Sequence, residues 1–348
     1  MKTTTKPATI GIDLAKNVFA IHGVDEAGQV VVRRELSRSQ MPAFFAKLAP
    51  CLIGMEASAS AHYWGRELRK LGHDVRLMPA GYVKPYVKRG KNDARDAEAI
   101  CEAVTRPTMR FVPIKNEEQQ SVLALHRARD LLVRQRTQTA NTLRALCGEF
   151  GVMAAKGRLG LSTLTAMVDS EAQNRLPAVA KAALRPLSDR LGDLNRHILR
   201  LDHEILAWHR SNEMSRRLAT IPGIGPINAT ALIASIGDAS RFASGRDLSA
   251  WIGLTPQSRS SGGKERLGSI SKQGDRYLRR MLVQGAQSLR RARGKNPQKP
   301  TWAARVEARR GAKVAAVAQA NKMARIAWAV MTRGGVYRRP AETQATAA

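Results

Sequence analysis

The sequence predicts an α/β layer fold with a mixed sheet at the N-terminus, a helical middle and a mainly helical C-terminal third. Three observations carry that prediction. Short β-branched runs alternate with amphipathic stretches over the first hundred residues. Residues 116–150 and 177–210 then repeat leucine and isoleucine at helical intervals. Beyond residue 213, apolar helical segments are separated by glycine turns.

In chain order, ATIGIDLA, VFAIHGV and QVVVRREL read as three strands, the last two joined by a turn at Asp25, Glu26, Ala27 and Gly28. MPAFFAKLA reads as a helix and CLIGMEAS as a buried strand. HYWGRELRKLG is a helix that stops at Gly72, and DVRLMPA is a further strand. A loop and a helix from about Asn92 to Val104 complete the α/β part. In the middle, Leu123, Leu125, Leu131, Leu132, Leu143 and Leu146 mark one long helix. Leu187, Leu191, Leu194, Ile198, Leu201 and Ile205 mark a second, with spacing close to a coiled-coil seam. The two are expected to pack antiparallel as a spacer or dimer arm, with GVMAAKGRLGLSTL as their connector.

In the last third, RRLATIPGIGPINATALIASIGDASRF gives a helix, a Gly-Ile-Gly turn and a second helix, an arrangement similar to a helix-hairpin-helix. Free backbone N–H groups around Gly223 and Gly225 would grip a phosphate without reading bases; the alternative is a tight turn that only joins two helices. RDLSAWIGL is a short helix, TPQSRSSGGKERLGS a polar loop, and ISKQGDRYLRRMLVQGAQSLRRAR a basic amphipathic helix. A last helix runs from about Ala312 to Met331. The expected domains are therefore 8–110, 111–212 and 213–335, followed by a disordered tail, 336–348.

The formal net charge is +30, from 58 basic and 28 acidic residues. Residues 1–110 carry 18 basic against 11 acidic side chains, residues 111–212 carry 15 against 10, and residues 213–348 carry 25 against 7. Such a surplus suits a polyanion, most simply nucleic acid, and its asymmetry places most of the phosphate contact in the last third. No apolar run is long enough to span a membrane. The N-terminus lacks an apolar signal core, so export is not expected. Cys51, Cys101 and Cys147 are scattered without C-x-x-C spacing, which favours a reducing cytoplasm and argues against structural zinc. The histidines show no metal-ligand spacing.

Among so many cations, four carboxylates stand out. Asp13 lies within Ile10-Gly11-Ile12-Asp13-Leu14 and Glu56 ends the apolar run Leu52-Ile53-Gly54-Met55; each is costly to bury unless paired or metal-bound. Asp93 and Asp96 share one helix face at i and i+3. Asp93 read alone is equally an N-cap, with Asp96 favoured by the helix dipole. Taken as a set, the four supply the oxygen ligands that hard divalent cations require for phosphodiester chemistry.

GIDLAKNVF, GMEASAS and KNDARDAEAI together resemble the N-terminal RuvC-like DEDD domain of the one-ten family of insertion-sequence transposases, with its eleven-eleven branch, also known as bridge-RNA-guided recombinases. IPGIGPINATALIASIG, LSAWIGLTPQSRSSGGKERLG and ISKQGDRYLRR are similar to that family's C-terminal transposase domain. The resemblance covers residues 8 to about 332. It implies an RNase H/RuvC-like fold holding Mg2+ on Asp13, Glu56, Asp93 and Asp96. It further implies a serine nucleophile in the loop after GLTP, matching Ser261, with Ser260 the near competitor and Ser258 a distant one. A phosphoserine link would conserve the phosphodiester energy through strand exchange. The loop itself supplies no general base; the resemblance implies that the carboxylate site meets the serine in a composite site, whose halves can come from different protomers.

Arg259, Lys264, Arg266 and Lys272 surround that serine in sequence as candidate phosphate-neutralising cations. Arg276, Arg279 and Arg280 fall on one helix face and read as nucleic-acid contacts that position rather than specify. By resemblance the partners are DNA, both element ends and target, a structured guide RNA, and further copies of the chain as dimer or tetramer. The expected activity is a transposase that excises and inserts its element by strand cleavage and exchange. Two other readings remain open: a RuvC-like Holliday-junction resolvase or endonuclease without serine chemistry, and a non-catalytic nucleic-acid-binding protein.

Overall fold

The computed structural model describes residues 6–88, 92–170, 175–259, 266–294 and 301–338. The chain divides into two compact units, Met1–Glu117 and Glu118–Ala348.

The first unit is built on five strands: β1 (Thr9–Leu14), β2 (Val18–Val24), β3 (Val30–Ser37), β4 (Leu52–Glu56) and β5 (Asp74–Met78). Their order is β3-β2-β1-β4-β5, with β1, β2 and β3 antiparallel and β1, β4 and β5 parallel. The expected turn between β2 and β3 closes as its residues dictate. Asp25 Oδ1 accepts from the N–H groups of Ala27 and Gln29, and Gly28 takes φ +77°. Helices α1 (Met41–Phe45), α2 (Ala61–Lys70), α3 (Ala80–Val83) and α4 (Asp93–Val104) complete the unit. The four-residue α3 falls inside the expected loop.

Strand alternation sorts the sheet into two faces. Ile10, Ile12, Ile53 and Met55 pack with Phe19, Phe45, Trp64 and Leu68 into one core under α1 and α2. The opposite face carries Gly11 and Asp13 of β1 and Leu52, Gly54 and Glu56 of β4, and α4 lies on it through Ile100 and Val104. Gly11 and Gly54 are direct partners across the parallel pair. A Cβ on Gly11 would stand 2.2 Å from the Ala97 carbonyl oxygen and 2.4 Å from the Cys101 nitrogen; one on Gly54 would stand 2.8 Å from Val104 Cβ. At Gly11 helix backbone thus rests on strand backbone with no side chain between them, while at Gly54 the Val104 side chain fills the space a Cβ would need.

The second unit begins with an antiparallel arm. Helices α5 (Glu117–Gly148) and α7 (Ala178–Ser211) are tied by an Arg129–Asp202 ion pair and a 3.3 Å Arg136–Asn195 hydrogen bond. Leu191, Leu194, Ile198 and Ile205 of α7 are buried as the spacing predicts, but Leu131 and Leu146 of α5 are exposed. Helix α6 (Arg158–Asp169) occupies much of the expected connector, its Leu164 and Val168 packing with Leu143, Cys147 and Leu184.

Helices α8 (Glu213–Ala219), α9 (Pro226–Ile236), α10 (Gly245–Ile252), α11 (Arg276–Gly294), α12 (Trp302–Arg310) and α13 (Ala312–Arg333) form the rest. Leu218, Leu232, Ile252, Leu278, Leu282 and Met323 meet in their common core. The expected polar loop after α10 contains a two-stranded hairpin, β6 (Pro256–Ser258) and β7 (Leu267–Ile270). His126 of α5 is buried between Tyr277 Oη at 2.9 Å and Thr230 Oγ1 at 3.0 Å. Burial, with Arg129 nearby, pushes its pKa down to about 4, so it stays a neutral imidazole joining α5, α9 and α11. All three cysteines are buried and free, as their spacing suggested. The tail beyond Arg338 lies outside the described residues.

Gly11→Ala places a methyl group inside backbone atoms that cannot rotate away. It is expected to cost about 3 kcal/mol or more, at the upper end for overpacking, read as a lowered thermal midpoint of the first unit. Gly81→Ala, in α3 with open space around it, serves as the control and should leave that midpoint essentially unchanged.

Candidate functional site

The seat of α4 decides where the carboxylates go. Its N-cap is Asn92, whose Oδ1 accepts from the Ala94 N–H at 3.0 Å, so Asp93 is the first helical residue rather than the cap. With Ala97 pressed against Gly11, the first turn of α4 reaches the end of β1, where Asp13 stands on the same sheet face. One oxygen from each of Asp13, Asp93 and Asp96 can be chosen so that all lie within 4.8 Å of one another. Asp93 is exposed, while Asp13 and Asp96 are half-buried.

Glu56, at the end of neighbouring β4, does not join the three at that mutual distance but is close enough to feel them. Its pKa is raised, first by burial and then by the negative charges of Asp13 and Asp96. The sequence-predicted acids are therefore neighbours, three converging and the fourth beside them. Their donors are oxygens only, with no imidazole or thiolate in the group, which is the ligand chemistry of hard divalent cations. A cation would also offset the repulsion that holds Glu56 away from its usual titration range. Of the cations around α4, Lys88 pairs with Glu98 at 2.5 Å; Arg89 and Lys91 lie outside the described residues.

Sequence reasoning missed the two glycines that make this convergence possible. The signal was there as a repeated spacing, Gly11-x-Asp13 at the end of β1 and Gly54-x-Glu56 at the end of β4, with both pairs in register. Each glycine takes the close approach of α4, Ala97 and Cys101 at Gly11 and Val104 at Gly54.

In the second unit, Ser260, Ser261 and Lys264 lie outside the described residues. What frames them is described. The Arg259 N–H donates to Arg266 O at 2.8 Å, and at the root of the hairpin Ser271 N–H bonds Thr255 O at 2.9 Å and Lys272 N–H bonds Gly253 O at 3.2 Å. Ser258, Arg259, Arg266 and Lys272 are all exposed. On α11, Arg276 is exposed, but the other two arginines are engaged within the unit. Arg279 Nη1 donates to Ile252 O at 2.7 Å and Gln273 O at 2.8 Å, and Arg280 pairs with Asp130. The two turn glycines also differ. Gly223, at φ +87°, faces Leu289, Met323 and the Gly285 carbonyl, whereas Gly225 caps α9 at the surface with open space around it.

The chain matches known proteins along most of its length. A family model described as transposase, bearing the DEDD label, matches residues 10–150, the stretch that carries all four acids. A second, described as transposase IS116/IS110/IS902 family, matches residues 215–302. The chain is 50% identical over 331 residues to a probable family 20 transposase of Pseudomonas aeruginosa, covering 94% of this chain and 98% of that one. It is 41% identical over 329 residues to the transposase for insertion sequence element IS1328 of Yersinia enterocolitica, covering 94% and 98% respectively. With the transposase for insertion sequence element IS1111A of Coxiella burnetii it shares 40% identity over 331 residues, 94% of this chain and 91% of the relative. These family models and relatives define a transposase, a class that acts on DNA by cleavage and recombination. The chain belongs to the IS116/IS110/IS902 family.

The state of Glu56 gives a pH-dependent test. A carboxyl whose folded pKa lies above its unfolded value destabilises the fold when ionised. That cost is fully present above the raised pKa and is relieved as pH falls through it toward the unfolded value. Glu56→Gln is therefore expected to raise the thermal midpoint of the metal-free protein at pH 7 and to flatten its dependence on pH across that window. An unchanged midpoint and pH slope would count against repulsion at this carboxyl.

Proposed function

We propose that the chain is a RuvC-like recombinase that excises and inserts an insertion sequence by cleaving and exchanging DNA strands at two kinds of group, a carboxylate set and a serine. The convergence of Asp13, Asp93 and Asp96 beside Glu56 carries this reading. The strand order β3-β2-β1-β4-β5, with acids ending the two central parallel strands, supports an RNase H/RuvC-like assignment. Asp13, Glu56, Asp93 and Asp96 would hold Mg2+, with Asp13 and Glu56 fixed by the sheet and Asp93 and Asp96 by the first turn of α4. The ion, when bound, stabilises negative charge on a phosphate and polarises the attacking oxygen.

Ser261 is the proposed nucleophile. Its Oγ attacks the scissile phosphorus, the P–O bond to the departing strand breaks, and that oxygen leaves as a hydroxyl carrying a proton. The phosphoserine retains the ester energy, so a second strand's hydroxyl can reverse the step without ATP. Arg259, Lys264, Arg266 and Lys272 neutralise the phosphate. Arg276, together with the surface-facing turn at Gly225, positions the duplex, while Gly223, Arg279 and Arg280 hold the elements that carry those contacts. Residues 111–212 serve as a helical spacer between copies in a dimer or tetramer, and residues 213–335 as the serine-bearing domain. The +30 charge and the likeness of the motifs support a structured guide RNA as a second nucleic-acid partner beside element and target DNA. Cytoplasmic residence accords with three free cysteines, and no described helix is long and apolar enough to cross a membrane.

The test is a denaturing gel after incubation with Mg2+, the element's RNA and target DNA. A covalent protein–DNA adduct is expected, absent for Ser261→Ala and retained by Ser260→Ala. Asp13→Asn and Asp96→Asn should each reduce cleavage about 100-fold or more, the scale of losing one preorganised electrostatic group, while leaving DNA binding intact. Cleavage that persists in Ser261→Ala without an adduct would replace this reading with metal-dependent hydrolysis of a resolvase or endonuclease kind. Cleavage indifferent to both aspartates would remove the carboxylates from the chemistry.

A further inference from the structure

Helix α13 has two faces. Ala316, Ala320, Met323, Ala324 and Ala327 are buried in the core of the second unit. The opposite stripe lines an open groove of about 1230 Å³, closed on its other side by the β6–β7 hairpin. Its volume exceeds the roughly 300–1,000 Å³ usual for a small-ligand pocket. The floor is apolar, formed by Val314, Val317, Ile326 and Trp328, with Leu254 and Ile270 opposite. Its rim carries five cations, Arg246, Lys313, Lys322, Arg325 and Arg333, and among the described residues that line it there is no aspartate or glutamate. Lys313 to Arg333 covers about 30 Å of helix at 1.5 Å per residue. Trp302, at the start of α12, is 41% exposed at the groove, with Lys322 Nζ 5.4 Å from its ring centroid.

We infer that this groove binds an unpaired DNA strand, its bases on the apolar floor and against Trp302 and its phosphates along the cationic rim. A duplex presents phosphates outward and has no use for an apolar floor, whereas single strands are held by a basic groove combined with aromatic stacking. Five cations with no aspartate or glutamate among the described lining residues are complementary to a polyanion. The choice of DNA over RNA rests on the proposed recombinase reading: Pro256, Gly268 and Ser269 of the groove wall belong to the hairpin whose connecting residues include Ser261. The strand running from the cleaved phosphate is then the nearest polyanion. Trp302 acts here as a stacking residue, and Lys322 and Arg325 as phosphate contacts.

The experiment uses the full chain without Mg2+ and three labelled probes: a thymidine oligonucleotide of about 15 nucleotides, a duplex of equal length and a matched RNA. Binding is read by fluorescence anisotropy, and an iodouracil-substituted oligonucleotide is photocrosslinked and mapped by peptide mass. Trp302→Ala is expected to weaken single-strand binding about tenfold, the scale of losing one stacked base, while changing duplex binding by less than about twofold. Trp302→Phe should restore most of it. Lys322→Ala with Arg325→Ala should lower the single-strand salt slope by about 1.4, at roughly 0.7 per phosphate contact. Equal thermal midpoints of variants and parent confirm that folding is unaffected. No loss of single-strand binding in Trp302→Ala, an equal loss for the duplex, or crosslinking of Trp302 by RNA in preference to DNA would each overturn the inference. Because no chemistry is involved, a missing serine adduct with groove binding intact would strike the proposed mechanism and not this site.

Discussion

The first unit depends on one contact, the backbone of α4 lying directly on the backbone of β1 at Gly11, with Val104 of the same helix seated on Gly54 of β4. Side chains elsewhere in this layer have rotamers to yield; here carbonyl and amide atoms would meet any added carbon at 2.2–2.4 Å above Gly11. That closeness sets the height of the helix above the sheet. It fixes which turn of α4 stands beside Asp13 and therefore which acids become neighbours. Burial, and after it the like charges of Asp13 and Asp96, raise the pKa of Glu56. Packing of Ile100, Ala103 and Val104 on the same face holds the arrangement against that repulsion. The result is a group of oxygen donors, three of them able to lie within 4.8 Å of one another, of the kind that hard divalent cations take.

The second unit is held by a different means. Its helices are locked by buried polar ties as well as by its apolar core. Asn228 Nδ2 donates to Gly223 O and Met281 O, both at 3.2 Å, binding the turn to α11. His126 links three helices, and Arg279 stitches the start of α11 to the end of α10. Arginines that look alike in sequence thus divide into those that hold the fold and those that face outward. A charge surplus concentrated in this part of the chain overstates the surface offered to phosphate by the number turned inward.

Much of the architecture was legible. The five strands, the turn at Gly28 and the long helices α5 and α7 follow from alternation, turn chemistry and leucine spacing, all local properties. The four acids stood out because a carboxylate in an apolar strand is costly without a partner. Less visible were elements that tertiary context creates. The three-residue β6 contains a proline and reads as loop, yet it pairs with β7. Helix α12 is rich in arginine and has no long apolar stripe, and α6 begins inside a glycine-containing connector. Leu131 and Leu146 fit a helical period but are exposed, because period alone does not say how wide the covered face is. The roles of Gly11 and Gly54 could not be read from propensity, since nothing in a strand pattern tells which residue another layer will touch.

The hairpin of the second unit has one more consequence. Its frame is closed by hydrogen bonds from residues on either side of the proposed serine: Arg259 to Arg266 across the strands, and Ser271 and Lys272 to Thr255 and Gly253 at the root. Among the described residues, the core of α9, α10, α11 and α13 is built from Leu232, Ile252, Leu278, Leu282 and Met323. On the proposed reading, the nucleophile is thereby bracketed by a frame whose hydrogen bonds all come from described residues on either side of it. Under that reading, selection can tune the residues within the bracket while the frame that closes it is inherited.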